Sequence, residues 1–250
     1  MSSVSSAAGN SGPWVIHFLK SSVGAKIIMA ISGLMMFGFL IGHIAGNLQI
    51  FIGQDAINGY AHFLKSNPEI VWPARIGLLG AVLVHIWSGL RLAALNKAAR
   101  PAGYKRKTSQ RSTVFSRTMT WSGLVVLAFI AYHLAHFTFG VTNPAHYHLT
   151  DELGRHDVYS MFVLGFQQPV ISGFYILAMV LLGFHLAHGT KSMFQSLGLN
   201  HPKYDMLFQV AVPGLALLVV VGNIIMPLAV LGGFLSLPEG VEVAQMTGVK

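Results

Sequence analysis

Twelve histidines stand in this 250-residue chain, and six of them (His43, His85, His133, His136, His185 and His188) fall inside long apolar stretches. A neutral imidazole offers a lone pair to a metal and an N–H to an acceptor, so it ligates iron, copper or zinc without adding charge. In lipid an ionisable side chain costs a few kcal/mol unless it is paired, so histidines on four separate apolar stretches read as functional groups. The bland alternative, a ring hydrogen-bonded to a nearby carbonyl, accounts for one such residue and accounts poorly for one per stretch across four. There is no Cys in the chain. That excludes disulfides, thiolate-held zinc or iron–sulfur clusters, and covalent haem attachment through Cys-x-x-Cys-His. Any metal must be held by other ligands.

The elements that position these rings follow from composition. The chain is 53% hydrophobic and 10% charged, against roughly 25% charged residues in an ordinary soluble domain. Its mean hydropathy is +0.60. Both values argue against a soluble enzyme, and against disorder, which needs a polar, charged chain. A spanning helix needs about 20 mainly apolar residues. Stretches free of Asp, Glu, Lys and Arg predict five such helices, over about 27–52, 72–95, 118–141, 169–190 and 206–235. The expected fold is an all-α membrane protein, one domain over 1–250, with no linker long enough to separate two domains and no internal repeat. Arg75 and Arg91 snorkel from the ends of the second span, and Pro213 and Pro227 predict kinks in the fifth. Residues 1–20 form an N-terminal segment with no signal-peptide core in 2–13, and Trp14 to Leu19 reads as a short interfacial helix.

The loop between the second and third spans carries Lys97, Arg100, Lys105, Arg106, Lys107 and Arg111, leads into Arg117 and has no acid. Short basic loops stay in the cytoplasm. The N-terminus is then inside. The C-terminal tail with Glu239 and Glu242, and the segments around Asp55 and Glu69 and around Asp151, Glu152 and Asp157, are outside. The net charge of +8 is a topology signal. The expected partner is a lipid bilayer, with no nucleic acid.

Depth sorts the histidines. His43 lies seventeen residues beyond Lys26 and His133 sixteen beyond Arg117, while His85 precedes Arg91 by six and His185 precedes Lys191 by six. At about 1.5 Å per residue the first two share an outer level and the second two an inner one, roughly 15 Å apart. Two depth-matched pairs from four helices are what two stacked six-coordinate haems require, with both axial ligands imidazoles. The match is specific for paired cofactors and does not by itself say haem. Gly38, Gly42 and Gly46 repeat at four-residue spacing beside His43, leaving room for a planar group or for close helix contact. His136 and His188 follow the proposed ligands by three residues on nearly the same face, so by spacing either is an alternative ligand. Arg91, Lys191 and His188 stand where the propionates of an inner haem would emerge. His17, His62, His146, His148, His156 and His201 fall outside the spans or at their edges, and for most of them a solvated side chain is the favoured reading.

At these residues the chain resembles the dihaem cytochrome b membrane-anchor subunit of succinate dehydrogenase and quinol:fumarate reductase complexes, over about residues 14–235. The resemblance rests on Leu40-Ile41-Gly42-His43, Val84-His85-Ile86-Trp87-Ser88-Gly89, Ala131-Tyr132-His133-Leu134 and Gly183-Phe184-His185 followed by Gly189, in that order, with Ala61-His62-Phe63-Leu64 after the first span. It implies two b haems, the outer held by His43 and His133 and the inner by His85 and His185, and so selects the first histidine in spans three and four. It implies a flavoprotein subunit and an iron–sulfur subunit as partners, which carry the FAD, the iron–sulfur clusters and the dicarboxylate chemistry. A membrane quinone, menaquinone or ubiquinone, is the other substrate, and the location is a bacterial inner membrane. A higher oligomer of the complex is compatible with this. The basic loop Lys97 to Arg117, Lys20 and Lys191 are candidate docking residues, or simple topology determinants. Asn47, Gln49 and His62 are candidates for quinone contact near the outer haem, or for caps and loop contacts. Some fumarate-reducing members have a glutamate two residues before the fourth-span ligand. This chain has Gly183 there, which tilts the reading toward succinate oxidation.

Three rivals remain in view. A dihaem cytochrome b serving another quinone-linked dehydrogenase shares the ligands. A non-haem iron lipid-modifying enzyme needs its histidines to converge on one centre. A proton-coupled transporter would show carboxylates inside its spans, and none is present there.

Overall fold

The computed structural model describes residues 13–99, 114–199, 201–204 and 206–238. The helices of these residues follow from local chemistry. Helix α1 (Trp14–Lys20) ends at Ser21, whose extended backbone and Oγ, accepting the Gly24 N–H at 2.9 Å, start α2 (Ser22–Asn47). A 3-10 turn (Leu48–Phe51) extends α2 to Gly53, whose φ of 132° lets the chain reverse into α3 (Gln54–Ser66). Pro68 opens α4 (Pro68–Ala98), where its missing N–H costs nothing. Helix α5 (Val114–His133) closes in a π turn, Leu134–Thr138, and is followed by the single turn α6 (Pro144–Tyr147). Helix α7 (Val158–Phe166) is capped by Asp157, which accepts the Ser160 N–H at 3.1 Å. Helix α8 (Pro169–Ser196) follows, and α9 (Val212–Leu231) emerges from a π turn, Leu207–Ala211.

Five helices are long and apolar enough to cross a membrane: Ser22–Phe51, Pro68–Ala98, Arg117–Thr138, Pro169–Ser196 and Val212–Leu231. The first, second and fourth overrun the charge-free stretches at one or both ends. Lys26, Glu69 and Lys191 sit in their terminal turns, exposed, where a charged head reaches the polar boundary. The last ends at Leu231, four residues short of the expected 235, because Gly232 and Gly233 break the helix. Pro213 follows directly on a π turn and Pro227 lies within α9. Pro73, unremarked in the sequence, lies inside α4. Large apolar side chains face outward along the spans, such as Leu79, Trp121 and Leu218. Here they are the lipid surface.

Helix α2 packs between α4 and α8, α8 also flanks α5 and α9, and α4 and α5 barely meet. The first four spans therefore form a ring open between α4 and α5, with α2 diagonal to α5 and α4 diagonal to α8. Helix α9 lies outside, against α8. None of the residues in the apolar window of α5 is buried, against 44% for α9.

The main core lies at the end where α2 finishes and α3 begins, called here the α3 end. Ile44, Ile50, Val163, Phe166, Tyr175 and Val219 meet there. Helices α3 and α7, both absent from the sequence-based expectation because they are too short to span, close over this end. A polar knot joins them. Asp157 is 1% exposed and Asn58 fully buried. The Asp157 carboxylate accepts from Gln54 Nε2 at 2.9 Å and Asn58 Nδ2 at 3.0 Å. Asn58 Oδ1 accepts the Tyr159 N–H at 3.0 Å. Arg155 bridges Asp151 and Asp55, each at 2.8 Å. His146 and His156, expected to be solvated, are half-buried, and burial pushes both below the ordinary imidazole range, Lys65 adding to the effect at His156.

Two outcomes follow. Asn58→Ala strands the buried Asp157 carboxylate and is expected to cost about 3 kcal/mol, read as a lower thermal midpoint in detergent; an unchanged midpoint refutes the knot as a keystone. Burial pushes the Asp151 carboxyl upward, but hydrogen bonds from Arg155 and Asn58 and the Arg155 charge outweigh it and hold it below its ordinary 3.8. Its contribution is present above that value and is lost as pH falls below it, through the lower folded value. Asp151→Asn should flatten this part of an acid-unfolding profile.

Candidate functional site

The structure brings the four depth-matched histidines together as two pairs, each across a diagonal of the ring of spans. His43 on α2 and His133 on α5 have ring centroids 5.8 Å apart with planes at 89°. His85 on α4 and His185 on α8 are 6.4 Å apart at 62°. Two imidazoles sharing one metal ion, each nitrogen about 2 Å from it, hold their centroids about 6 Å apart, and rotation about that axis leaves the angle free. Both separations suit a shared metal. Among the described residues no group of three or more His, Asp or Glu comes together. The donor set is two imidazoles per site, as in a haem whose macrocycle supplies the other four donors.

At the pair nearer the α1 end, His85 Nδ1 lies 3.3 Å from Ser32 Oγ and 3.2 Å from the Met29 carbonyl. His185 Nδ1 lies 3.1 Å from Ser122 Oγ. The next residue faces the ring in each case: a Cβ on Gly33 would stand 3.4 Å from His85 Cε1, and one on Gly123 3.5 Å from His185 Cε1, ordinary contact distances. At the pair nearer the α3 end, Phe39 stacks on His43 at 5.2 Å and Phe129 on His133 at 5.8 Å.

These parallels expose an internal repeat, and the expectation of none is corrected here. Ser32-Gly33-Leu34…Phe39…His43 and Ser122-Gly123-Leu124…Phe129…His133 share five residues at identical spacing. Each Ser-Gly serves a histidine on the next span, and each Phe-x-x-x-His serves the other pair. The second spans echo one another as His85…Gly89…Arg91 and His185…Gly189…Lys191. The repeat is short, and conservative changes dilute it, so hydropathy does not reveal it. The spacing of Ser-Gly to His, eleven residues in both copies, is the signal that finds Ser32 and Ser122.

The other candidates fall differently. His136 is 1% exposed and its Nδ1 lies 3.0 Å from the Tyr175 hydroxyl, in the packing between α7 and α8. A Cβ on Gly165 would be 3.2 Å from this ring. His188 is half-buried and Lys191 exposed. Arg91 donates to the carbonyls of Leu19, at 2.7 Å, and Lys20, and its guanidinium lies 5.3 Å over Trp87, so it ties α1 to α4. Asn47 Nδ2 is 3.2 Å from His43 Nε2. Gln49 is half-buried in the 3-10 turn, and His62 is exposed on α3, 3.4 Å from Ser66 Oγ. Of the three quinone candidates, Asn47 is the one in contact with a site histidine among the described residues. Arg100, Lys105, Arg106, Lys107, Arg111, Glu239 and Glu242 lie outside the described residues.

Three observations fit a planar group held between the pairs. A Cβ on Gly38 or Gly42 meets nothing within 4 Å, whereas one on Gly46 falls 2.7 Å from the Tyr60 ring, so the glycine ladder divides into two open positions and one close contact. No residue in the apolar window of helix α5 is fully buried by the other helices. Each pair of rings stands at a separation that leaves a metal ion, and no side chain, between the two imidazoles. Compared with family models, curated proteins and solved structures, the chain matches none of them.

Gly46→Ala is expected to destabilise by about 1–3 kcal/mol through overpacking against Tyr60. Gly38→Ala and Gly42→Ala are expected to be neutral or to stabilise by up to about 1 kcal/mol through helix propensity. Thermal unfolding in detergent separates the three, and equal effects refute the division of the ladder.

Proposed function

We propose that this chain is the dihaem cytochrome b anchor of a succinate:quinone oxidoreductase complex, relaying electrons between peripheral flavin and iron–sulfur subunits and a quinone in the bilayer. One observation carries the reading: four histidines from four helices meet as two diagonal pairs at the separation a shared metal requires. A haem b at each pair would supply a one-electron carrier, its iron held by the two imidazoles. His43 and His133 would hold one site, with Phe39 and Phe129 fixing the ring planes and Gly38 and Gly42 leaving room; a metal bound at His43 Nε2 would displace its contact with Asn47 Nδ2. His85 and His185 hold the other, supported by Ser32 and Ser122. Lys191 stands near that second site as a cation for propionates and His188 as a polar neighbour, while Arg91 is committed to α1.

The basic loop supports a cytoplasmic α1 end, and the resemblance supports a bacterial inner membrane, with the His85–His185 site facing peripheral subunits that dock on Lys20, Lys97, Lys191 and the loop. Gly183, standing where a glutamate would serve transmembrane proton compensation, supports succinate oxidation; a Cβ there would lie 3.2 Å from Val220, which would have to give by a few tenths of an ångström.

The test is a reduced-minus-oxidised spectrum with pyridine haemochrome quantitation on the purified chain. Two b haems per chain are expected. His43→Ala, His133→Ala, His85→Ala and His185→Ala should each remove or perturb one, and His136→Gln should retain both. An assembled preparation without haem overturns the proposal. Succinate-dependent reduction of both haems in the intact complex separates it from a dihaem anchor of another dehydrogenase.

A further inference from the structure

Resting on the two-haem reading, we infer that Ser32 and Ser122 are positioning residues for one haem only: each hydroxyl oxygen accepts a hydrogen bond from Nδ1–H of the histidine on the next span, leaving the Nε2 lone pair of His85 and of His185 for iron. The contact occurs twice, at equivalent places in the repeat, at 3.3 and 3.1 Å. In each copy the single hydroxyl proton is already spent. Ser32 Oγ donates to the Ile28 carbonyl at 2.8 Å and Ser122 Oγ to the Met119 carbonyl at 3.0 Å. With that proton on the helix carbonyl, the oxygen turns a lone pair to the ring and the facing Nδ1–H donates to it. His85 provides an independent check, since the Met29 carbonyl 3.2 Å from the same Nδ1 can only accept. Gly33 and Gly123 then let each ring lie close against the helix that holds it.

The other pair lacks this support. His133 Nδ1 has no partner among the described residues, and the polar contact of His43 is from Asn47 to Nε2. The molecule thus contains its own control. A hydrogen bond from Nδ1–H fixes the orientation of a ligating imidazole and raises its donor strength. A stronger donor stabilises oxidised iron over reduced iron, so the two serines hold the midpoint potential of the His85–His185 haem down.

The experiment is a redox titration of both haems in the full-length chain with its complex, in wild type, Ser32→Ala, Ser122→Ala, Ser32→Thr and Ser122→Thr. The relevant haem is identified by its loss in His185→Ala. Each alanine variant should raise that midpoint by about 59 mV, a tenfold shift of a one-electron equilibrium. Its low-spin electron paramagnetic resonance signal should move with it, and the second haem should keep its potential. The threonine variants, which retain the hydroxyl, should match wild type. Unmoved potentials in both alanine variants, or equal movement of both haems, overturn the inference while the two-haem reading stands. If an alanine variant assembles without the His85–His185 haem, the threonine variant decides: retention at the wild-type potential supports the inference, and loss there too overturns it. A wild-type chain without haem overturns both.

Discussion

An uncharged imidazole inside a bilayer has two ring nitrogens to satisfy and no water with which to do it. That constraint organises this molecule. Each of the four paired histidines must find partners from within the bundle, so each must sit where another helix presents an acceptor, a donor or a second imidazole. The pairs lie across diagonals because neighbouring helices are too close to leave space between two rings for anything else. A diagonal arrangement sets two imidazoles opposite each other across the ring of spans at two depths. It also explains why α4 and α5 hardly touch and why α5 buries no residue of its apolar window.

The repeated hairpin is the economical way to meet the constraint twice. Helices α2 and α5 each carry a Ser-Gly near one end and a Phe-x-x-x-His eleven residues on, so a single helix design serves both levels. The Ser-Gly supports a histidine of the following helix, and the Phe stacks on a histidine of its own. Three turns of helix separate the two tasks, which puts them on a common face at about 16 Å along the axis. Helices α4 and α8 then need only one histidine each, followed four residues later by a glycine. Departures from the repeat mark where the copies have separate duties. Tyr132 stands where the first copy has Gly42, and its ring lies 5.1 Å from Phe174 in an aromatic cluster around Tyr175 that the first copy lacks.

How much of this the sequence reveals depends on whether a signal is local. The five spans are legible because length and apolarity along one stretch suffice, and the depth match of the histidines is legible because helix rise is constant. Which histidine of a close pair faces inward is not. His133 and His136 differ by three residues, and only the packing of α7, through Gly165, shows that His136 belongs to the covering layer. The same holds for the polar knot. Asn58, Asp157 and Arg155 are a hundred residues apart from their partners and look like ordinary loop residues until α3 and α7 meet. Arg91 illustrates the limit in the other direction: its depth marks it as a cation for a cofactor, yet its N–H groups are taken by the end of α1.

The two ends of the bundle are built on different principles, and this follows from the same constraint. At the α3 end a buried carboxylate, Asp157, is satisfied by Asn58, Gln54 and its own helix N-terminus, and an aromatic cluster fills the space beneath it. Such a cover shuts water out and leaves rings like His133 and His136 with an unpartnered nitrogen each. At the α1 end no comparable cover stands among the described residues, and the histidines there are held instead by hydroxyls from within the spans. A site near an open, basic end must have its ring nitrogens assigned in advance, since water and charged side chains would otherwise claim them. Ser32 and Ser122 make that assignment for His85 and His185.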